Sequence, residues 1–128
     1  MYKILIIDDE PDFCFFVKKN LEARGDYDVY VCTDGREALQ TAKKLQPDLI
    51  LLDIIQPHLS GSEIAEMLGS HASTAHIPYI FLTAVVQEEE TRRGRDVIGG
   101  RYFVAKPLKV EKLVSIIENV RQQKERRQ

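Results

Sequence analysis

At 128 residues, with 44% apolar and 30% charged side chains, the chain has the size and composition of one ordinary globular domain that buries a core without staples. A formal net charge of −2 provides no field to draw nucleic acid, no run reaches membrane-spanning length, and the opening residues 1–9 turn acidic too soon for a signal peptide. The expected location is therefore cytoplasmic, with neither nucleic acid nor a membrane as a direct partner.

Strand-like and helix-like segments alternate along the chain. Lys3–Asp8 opens as a strand, followed by a helix over Asp12–Arg24 whose apolar face is Phe13, Val17 and Leu21, flanked by Cys14 and Phe16. At 100° per residue Phe15 points the opposite way. A strand over Asp28–Cys32 precedes a helix over Gly35–Leu45. Leu49–Asp53 is the next strand, then a helix over Gly61–His71, then a strand over Pro78–Thr83. Asp34-Gly35-Arg36-Glu37 and Ser60-Gly61-Ser62-Glu63 both fit a helix-start capping pattern, and Gly25 and Gly69 fit helix stops. A weaker helical stretch lies near Gln87–Val97. Gln87 to Asp96 holds no large apolar residue, and Gly94 inside a helix costs about 1 kcal/mol against alanine, so this segment is expected to be short, irregular or mobile. Arg101–Ala105 is the last strand. The last helix runs from Val110 to about Gln123 on an apolar stripe of Leu113, Ile116, Ile117 and Val120. Residues 121–128 are polar all round and read as a helix end or the start of a linker, with the domain proper over 1–120. Cys14 and Cys32 have no metal spacing and read as small buried hydrophobes.

Five βα units in this order predict a parallel five-stranded sheet with helices on both faces. Apolar runs such as Ile4-Leu5-Ile6-Ile7 and Leu49-Ile50-Leu51-Leu52 suit strands buried on both faces. The first ends in Asp8 and Asp9 and the second in Asp53, which puts all three acids in the crevice where open α/β sheets bind ligands. Converging carboxylates repel one another unless a cation joins them, and oxygen donors without histidine or cysteine suit Mg²⁺ before Zn²⁺. Thr83 and Lys106 also fall at or just after strand ends. A carboxylate nucleophile, a hydroxyl and an ammonium in one crevice suit phosphoryl transfer through an acyl phosphate.

At these residues the chain resembles the receiver domain of bacterial two-component response regulators. The matching pieces are Asp8-Asp9, Asp53 with Pro57 and Gly61, Leu82-Thr83-Ala84, and Gly99 followed by Lys106-Pro107. The resemblance runs from Lys3 to about Val120 and implies a flavodoxin-like, doubly wound (βα)5 fold. It implies that Asp53 accepts a phosphoryl group from the phosphohistidine of a histidine kinase or histidine phosphotransfer protein. Asp9, Asp53 and the backbone carbonyl of Ile55 would bind Mg²⁺, with Asp8 helping through a water. Lys106 would pair with the phosphoryl oxygens or, before phosphorylation, with Asp53. Its peptide to Pro107 is expected to be cis, Thr83 would swing toward the phosphoryl group, and Phe103 would turn inward as the switch aromatic.

The same resemblance makes Phe15 and Phe16, with the segment 106–109, candidate kinase contacts. It puts the output face around the fourth helix, fifth strand and fifth helix, and leaves room for a downstream effector domain or protein and a phosphorylation-linked homodimer. Three positions depart from the family pattern. Gln56 replaces the usual methionine and is expected to perturb its loop little, Arg101 and Tyr102 replace small or acidic residues, and the segment near Gln87 lacks apolar anchors. Ile55 and Val85, two residues past Asp53 and Thr83, are apolar and β-branched. They offer no group to orient an attacking water, so slow self-dephosphorylation is expected and enzyme activity proper is not. The alternatives are a small aspartyl-phosphate hydrolase, which lacks a second acid because Ile54 and Ile55 follow Asp53, and a pseudo-receiver that is never phosphorylated.

Overall fold

The computed structural model describes residues 1–83, 97–98, 101–106 and 108–126. In chain order these form β1 (Tyr2–Ile7), α1 (Pro11–Glu22), β2 (Tyr27–Cys32), α2 (Ala38–Leu45), β3 (Leu49–Asp53), α3 (Gly61–Gly69), β4 (Tyr79–Thr83), β5 (Val97–Ile98), β6 (Arg101–Ala105) and α4 (Val110–Arg126). The sheet order is β2-β1-β3-β4-β6-β5. The five strands expected from the sequence are all parallel to their neighbours. The addition is β5, a two-residue strand antiparallel to β6, in which Val97 is a strand residue and not the end of a helix. The stretch Gln87–Asp96 lies outside the described residues.

Two hydrophobic layers flank the sheet because side chains alternate along each strand. Ile4, Ile6, Leu49, Leu51, Ile80 and Leu82 point toward α1 and α4, while Leu5, Ile7, Ile50, Leu52 and Phe81 point toward α2 and α3. Ile4–Ile7 and Leu49–Leu52 are wholly buried, as strands covered on both faces must be. The buried stripe of α1 is Cys14, Val17 and Leu21. Phe13 is only partly buried and Phe16 is exposed, so the inner face is rotated from the expected one. Phe15 faces outward, as its helical position requires. In α4 all four expected core positions are buried.

The helix ends follow their local chemistry. At Ser60 a full capping box forms: its hydroxyl accepts from the Glu63 N–H while the Glu63 carboxylate accepts from the Ser60 N–H. At Asp34 the side chain accepts instead from Arg36 N–H, and a 3-10 turn over Gly35–Glu37 precedes α2, so the expected box does not close there. Gly25 adopts φ 95°, the left-handed conformation that stops the chain after α1. Gly69 is the last residue of α3. Among the described residues no helix is long and apolar enough to cross a membrane.

The strand order reverses at β1, which pairs with β2 on one side and β3 on the other. A crevice therefore opens between the C-terminal ends of β1 and β3.

Candidate functional site

Asp8 leaves β1 at the mouth of that crevice. Its N–H donates to the Cys32 carbonyl (3.1 Å), which extends the ladder by one residue and buries the side chain completely. Its Oδ1 accepts from the Glu10 N–H at 3.0 Å, which turns the chain into α1, where Pro11 stands at the first helical position. Asp53 ends β3 and is 5% exposed. Its Oδ1 accepts from the Ile55 N–H at 3.3 Å. The loop beyond is held by Ile54 N–H on the Leu82 carbonyl and Gly61 N–H on the Ile54 carbonyl. The Gln56 amide donates to the Asp53 carbonyl (2.7 Å) and reaches the Ile7 carbonyl (3.4 Å), tying the ends of β1 and β3 together.

Lys106, just past β6, brings its ammonium into this crevice. Nζ lies 2.7 Å from Asp8 Oδ2, 3.0 Å from Glu10 Oε1 and 3.5 Å from Asp53 Oδ2. The Phe13 ring stands 4.2 Å from Nζ and supplies a cation–π contact. Lys106 therefore hydrogen-bonds Asp8 and Glu10, while Asp53 is its more distant partner.

Asp8, Glu10 and Asp53 carry carboxylate oxygens within 4.8 Å of one another. Glu10 was not singled out from the sequence. The signal was there: it is the third acid of a run that must turn straight into a helix at Pro11. Asp9 is half-buried, is not one of these three, and lines an adjoining cleft of about 210 Å³ with Gln56, Pro57 and His58. The Thr83 backbone sits at the C-terminal end of β4 opposite Ala105. The Phe103 ring is half-buried, 5.3 Å from Phe81. Ile55 is 61% exposed beside the crevice. Val85, Pro107 and hence the Lys106–Pro107 peptide lie outside the described residues.

The electrostatics follow from burial. Desolvation holds the Asp8 carboxyl above its ordinary value, with the Lys106 hydrogen bond pulling it back. Asp53 is raised by burial and then by the neighbouring Asp8 charge, again against Lys106. Burial alone would lower Lys106, but its bonds to Asp8 and Glu10 win and push it up to about 12. Cys14 points its thiol at the Asp8 carbonyl, and burial followed by the Asp8 charge pushes it up to about 12, so it offers no thiolate.

Three carboxylates against one ammonium leave two negative charges uncompensated in the crevice. Oxygen donors, that excess charge and the lack of a thiolate fit a hard divalent cation such as Mg²⁺. An ionised carboxylate beside an ammonium, both largely shielded from water, is also suited to receive a phosphoryl group.

The response regulator receiver domain family is matched over residues 4–118. The DNA-binding dual master transcriptional regulator RpaA of Synechocystis sp. is 39% identical over 115 residues, covering 90% of this chain and 47% of that protein. The chain spans less than half the length of the curated relatives it matches. The chemotaxis protein CheY4 of Vibrio cholerae superposes with a TM-score of 0.79 at 30% identity, covering 94% of this chain and 98% of that one. The receiver domain of the sensor histidine kinase PA1611 from Pseudomonas aeruginosa, solved with a magnesium ion coordinated in its active site cleft, superposes at 0.76 with 25% identity, covering 92% and 95%.

Proposed function

The chain belongs to the response regulator receiver domain family, and from that premise we propose that it is a phosphoacceptor switch with Asp53 as the acceptor. The observation that carries this reading is the buried Asp53 carboxylate at the end of β3, with one oxygen fixed by the Ile55 N–H and the other 3.5 Å from the Lys106 ammonium. An Asp53 oxygen bonds to phosphorus as the P–N bond of a donor phosphohistidine breaks and its electron pair returns to the imidazole nitrogen. Lys106 moves with the incoming charge and pairs with the phosphoryl oxygens. The Thr83 hydroxyl donates a hydrogen bond to one of them, and Phe103 turns inward as Thr83 moves.

Mg²⁺, held by Asp8, Asp9, Asp53 and the Ile55 carbonyl, would neutralise the phosphoryl oxygens during transfer. The convergence of Asp8 and Asp53 in the acidic group supports their part in this, as does the magnesium in the PA1611 receiver domain; Asp9 is assigned from the family resemblance. The donor is a histidine kinase or histidine phosphotransfer protein, contacting exposed Phe15 and Phe16 on α1 and the segment around Lys106. Phosphorylation shifts the population of packings on an output face that includes β6 and α4, and that face meets an effector domain, an effector protein or a second copy. Ile55 and Val85 provide no group to orient water, so the acyl phosphate is long-lived.

The test is intact-protein mass after incubation with acetyl phosphate and Mg²⁺, beside Asp53→Ala. One phosphate adduct is expected on the wild type, lost in the variant and without Mg²⁺, and decaying over minutes or longer. An adduct that persists in Asp53→Ala would overturn the assignment of the acceptor. Decay within seconds would overturn the slow-hydrolysis reading.

A further inference from the structure

The geometry points to Glu10 as a positioning residue that tethers Lys106 to the α1 side of the crevice and so restrains phosphorylation of Asp53. This rests on the phosphoacceptor reading. Glu10 Oε1 stands 3.0 Å from Nζ, closer than Asp53 at 3.5 Å. Glu10 is 62% exposed, yet its backbone is pinned: its N–H is held by Asp8 Oδ1, its carbonyl accepts from the Cys14 N–H, and Pro11 follows. A backbone so anchored fixes the point from which the side chain reaches Lys106, so only the side-chain rotamers remain to be ordered.

The roles of the two acids on Lys106 differ. Both belong to the acidic group, but Asp8 is completely buried and in the Mg²⁺ set proposed above, whereas Glu10 is exposed and outside that set. A cation drawing on Asp8 leaves Glu10 as the remaining hydrogen-bonded anchor of the ammonium. Lys106 must then give up Glu10 to follow a phosphoryl group onto Asp53. The Glu10 charge also faces any dianionic donor entering the crevice, which adds repulsion in the same direction. A carboxylate at a helix start is favoured by the dipole whatever else it does, so helix stability alone does not test the tether.

The test pairs two measurements on wild type and Glu10→Gln. Hydrogen exchange of the Lys106 ammonium with water, read from its ¹⁵Nζ resonance without Mg²⁺, should quicken roughly twofold to fivefold, the size expected of an ion pair with one exposed partner, while exposed Lys19 stays unchanged. Phosphorylation by acetyl phosphate at saturating Mg²⁺ should quicken by a similar factor. A purely helical role for Glu10 would move the thermal midpoint and neither of these. Unchanged Lys106 exchange in Glu10→Gln overturns the tether. Faster exchange with unchanged or slower phosphorylation overturns the restraint. No adduct on the wild type overturns the phosphoacceptor reading itself, and the restraint with it.

Discussion

A Cβ on Gly61 would stand 2.4 Å from the carbonyl oxygen of Asp53 and 2.7 Å from the Cα of Ile54. The first residue of α3 is thus seated directly on the peptide of the acidic strand end, and Gly61 N–H bonds the Ile54 carbonyl at 2.7 Å. Both obstructing atoms are backbone and cannot rotate away. Gly61→Ala is expected to cost about 3 kcal/mol, at the upper end for overpacking, and to displace Asp53. Gly69 in the same helix meets nothing within 4 Å. Gly69→Ala should stabilise by roughly 0.5–1 kcal/mol. Urea midpoints at unchanged slope measure both. Equal effects at the two glycines would refute the close-approach argument.

Asp53 is expected to weaken the resting fold. Its carboxyl is raised by burial and by the Asp8 charge, so the folded state favours the neutral acid. The wild type therefore loses stability as pH rises from the ordinary carboxyl range through the raised folded value. Asp53→Asn removes the charge while leaving Lys106 its bonds to Asp8 and Glu10. The variant should be more stable at pH 7, with the advantage shrinking as pH falls below the folded value. Denaturant melts from pH 7 down to the acid range give the curve. A variant less stable than wild type at pH 7 would show that Asp53 is needed to hold Lys106.

How far the sequence revealed this arrangement depends on which interactions carry a period. β1 and β3 were readable to within a residue because burial on both faces leaves an unbroken apolar run, and the acids that end those runs had to lie at the sheet's C-terminal edge. The inner stripe of α1 was less readable. Cys14 fills a core position that Phe13 was expected to take, and a small thiol weighs little in a hydrophobic pattern. β5 is two residues long and has no period to read. Glu10 reaches Lys106 across 96 positions of sequence, and Gln56 ties two strand ends together through one amide. Neither link leaves a local trace, because both depend on the strand order.

His58 holds φ 72° in the loop between Asp53 and α3, a left-handed conformation that costs a residue with a Cβ about 1–2 kcal/mol. Glycine adopts it freely but adds freedom to the unfolded chain. The balance predicts that His58→Gly stabilises the fold by roughly 0.5–1 kcal/mol, read from thermal or urea unfolding. His58 also borders the cleft beside Asp9. A destabilised His58→Gly would mean that the imidazole makes a contribution there larger than its backbone strain.

Val29 lies on the edge strand β2, yet both of its backbone polar groups are occupied. Its N–H donates to Glu22 Oε2 at 3.1 Å and its carbonyl accepts from Lys18 Nζ at 2.6 Å, while the two side chains pair with each other at 3.1 Å. Charged side chains from α1 thus fill bonds that a free edge would otherwise offer to another strand. The Val29 N–H, and then Lys18, hold the Glu22 carboxyl below its ordinary value. Whatever this clamp contributes is present above the ordinary carboxyl range and is lost as pH falls through the lowered folded value. Glu22→Ala should speed amide exchange at Val29 without altering Leu5, which is buried in the sheet. In the same variant, adding Lys18→Ala should raise self-association at high concentration, read by sedimentation. Unaltered exchange at Val29 would mean that the bond to Glu22 does not protect it, and exchange that quickens without association would mean that the twist or length of β2 already guards the edge.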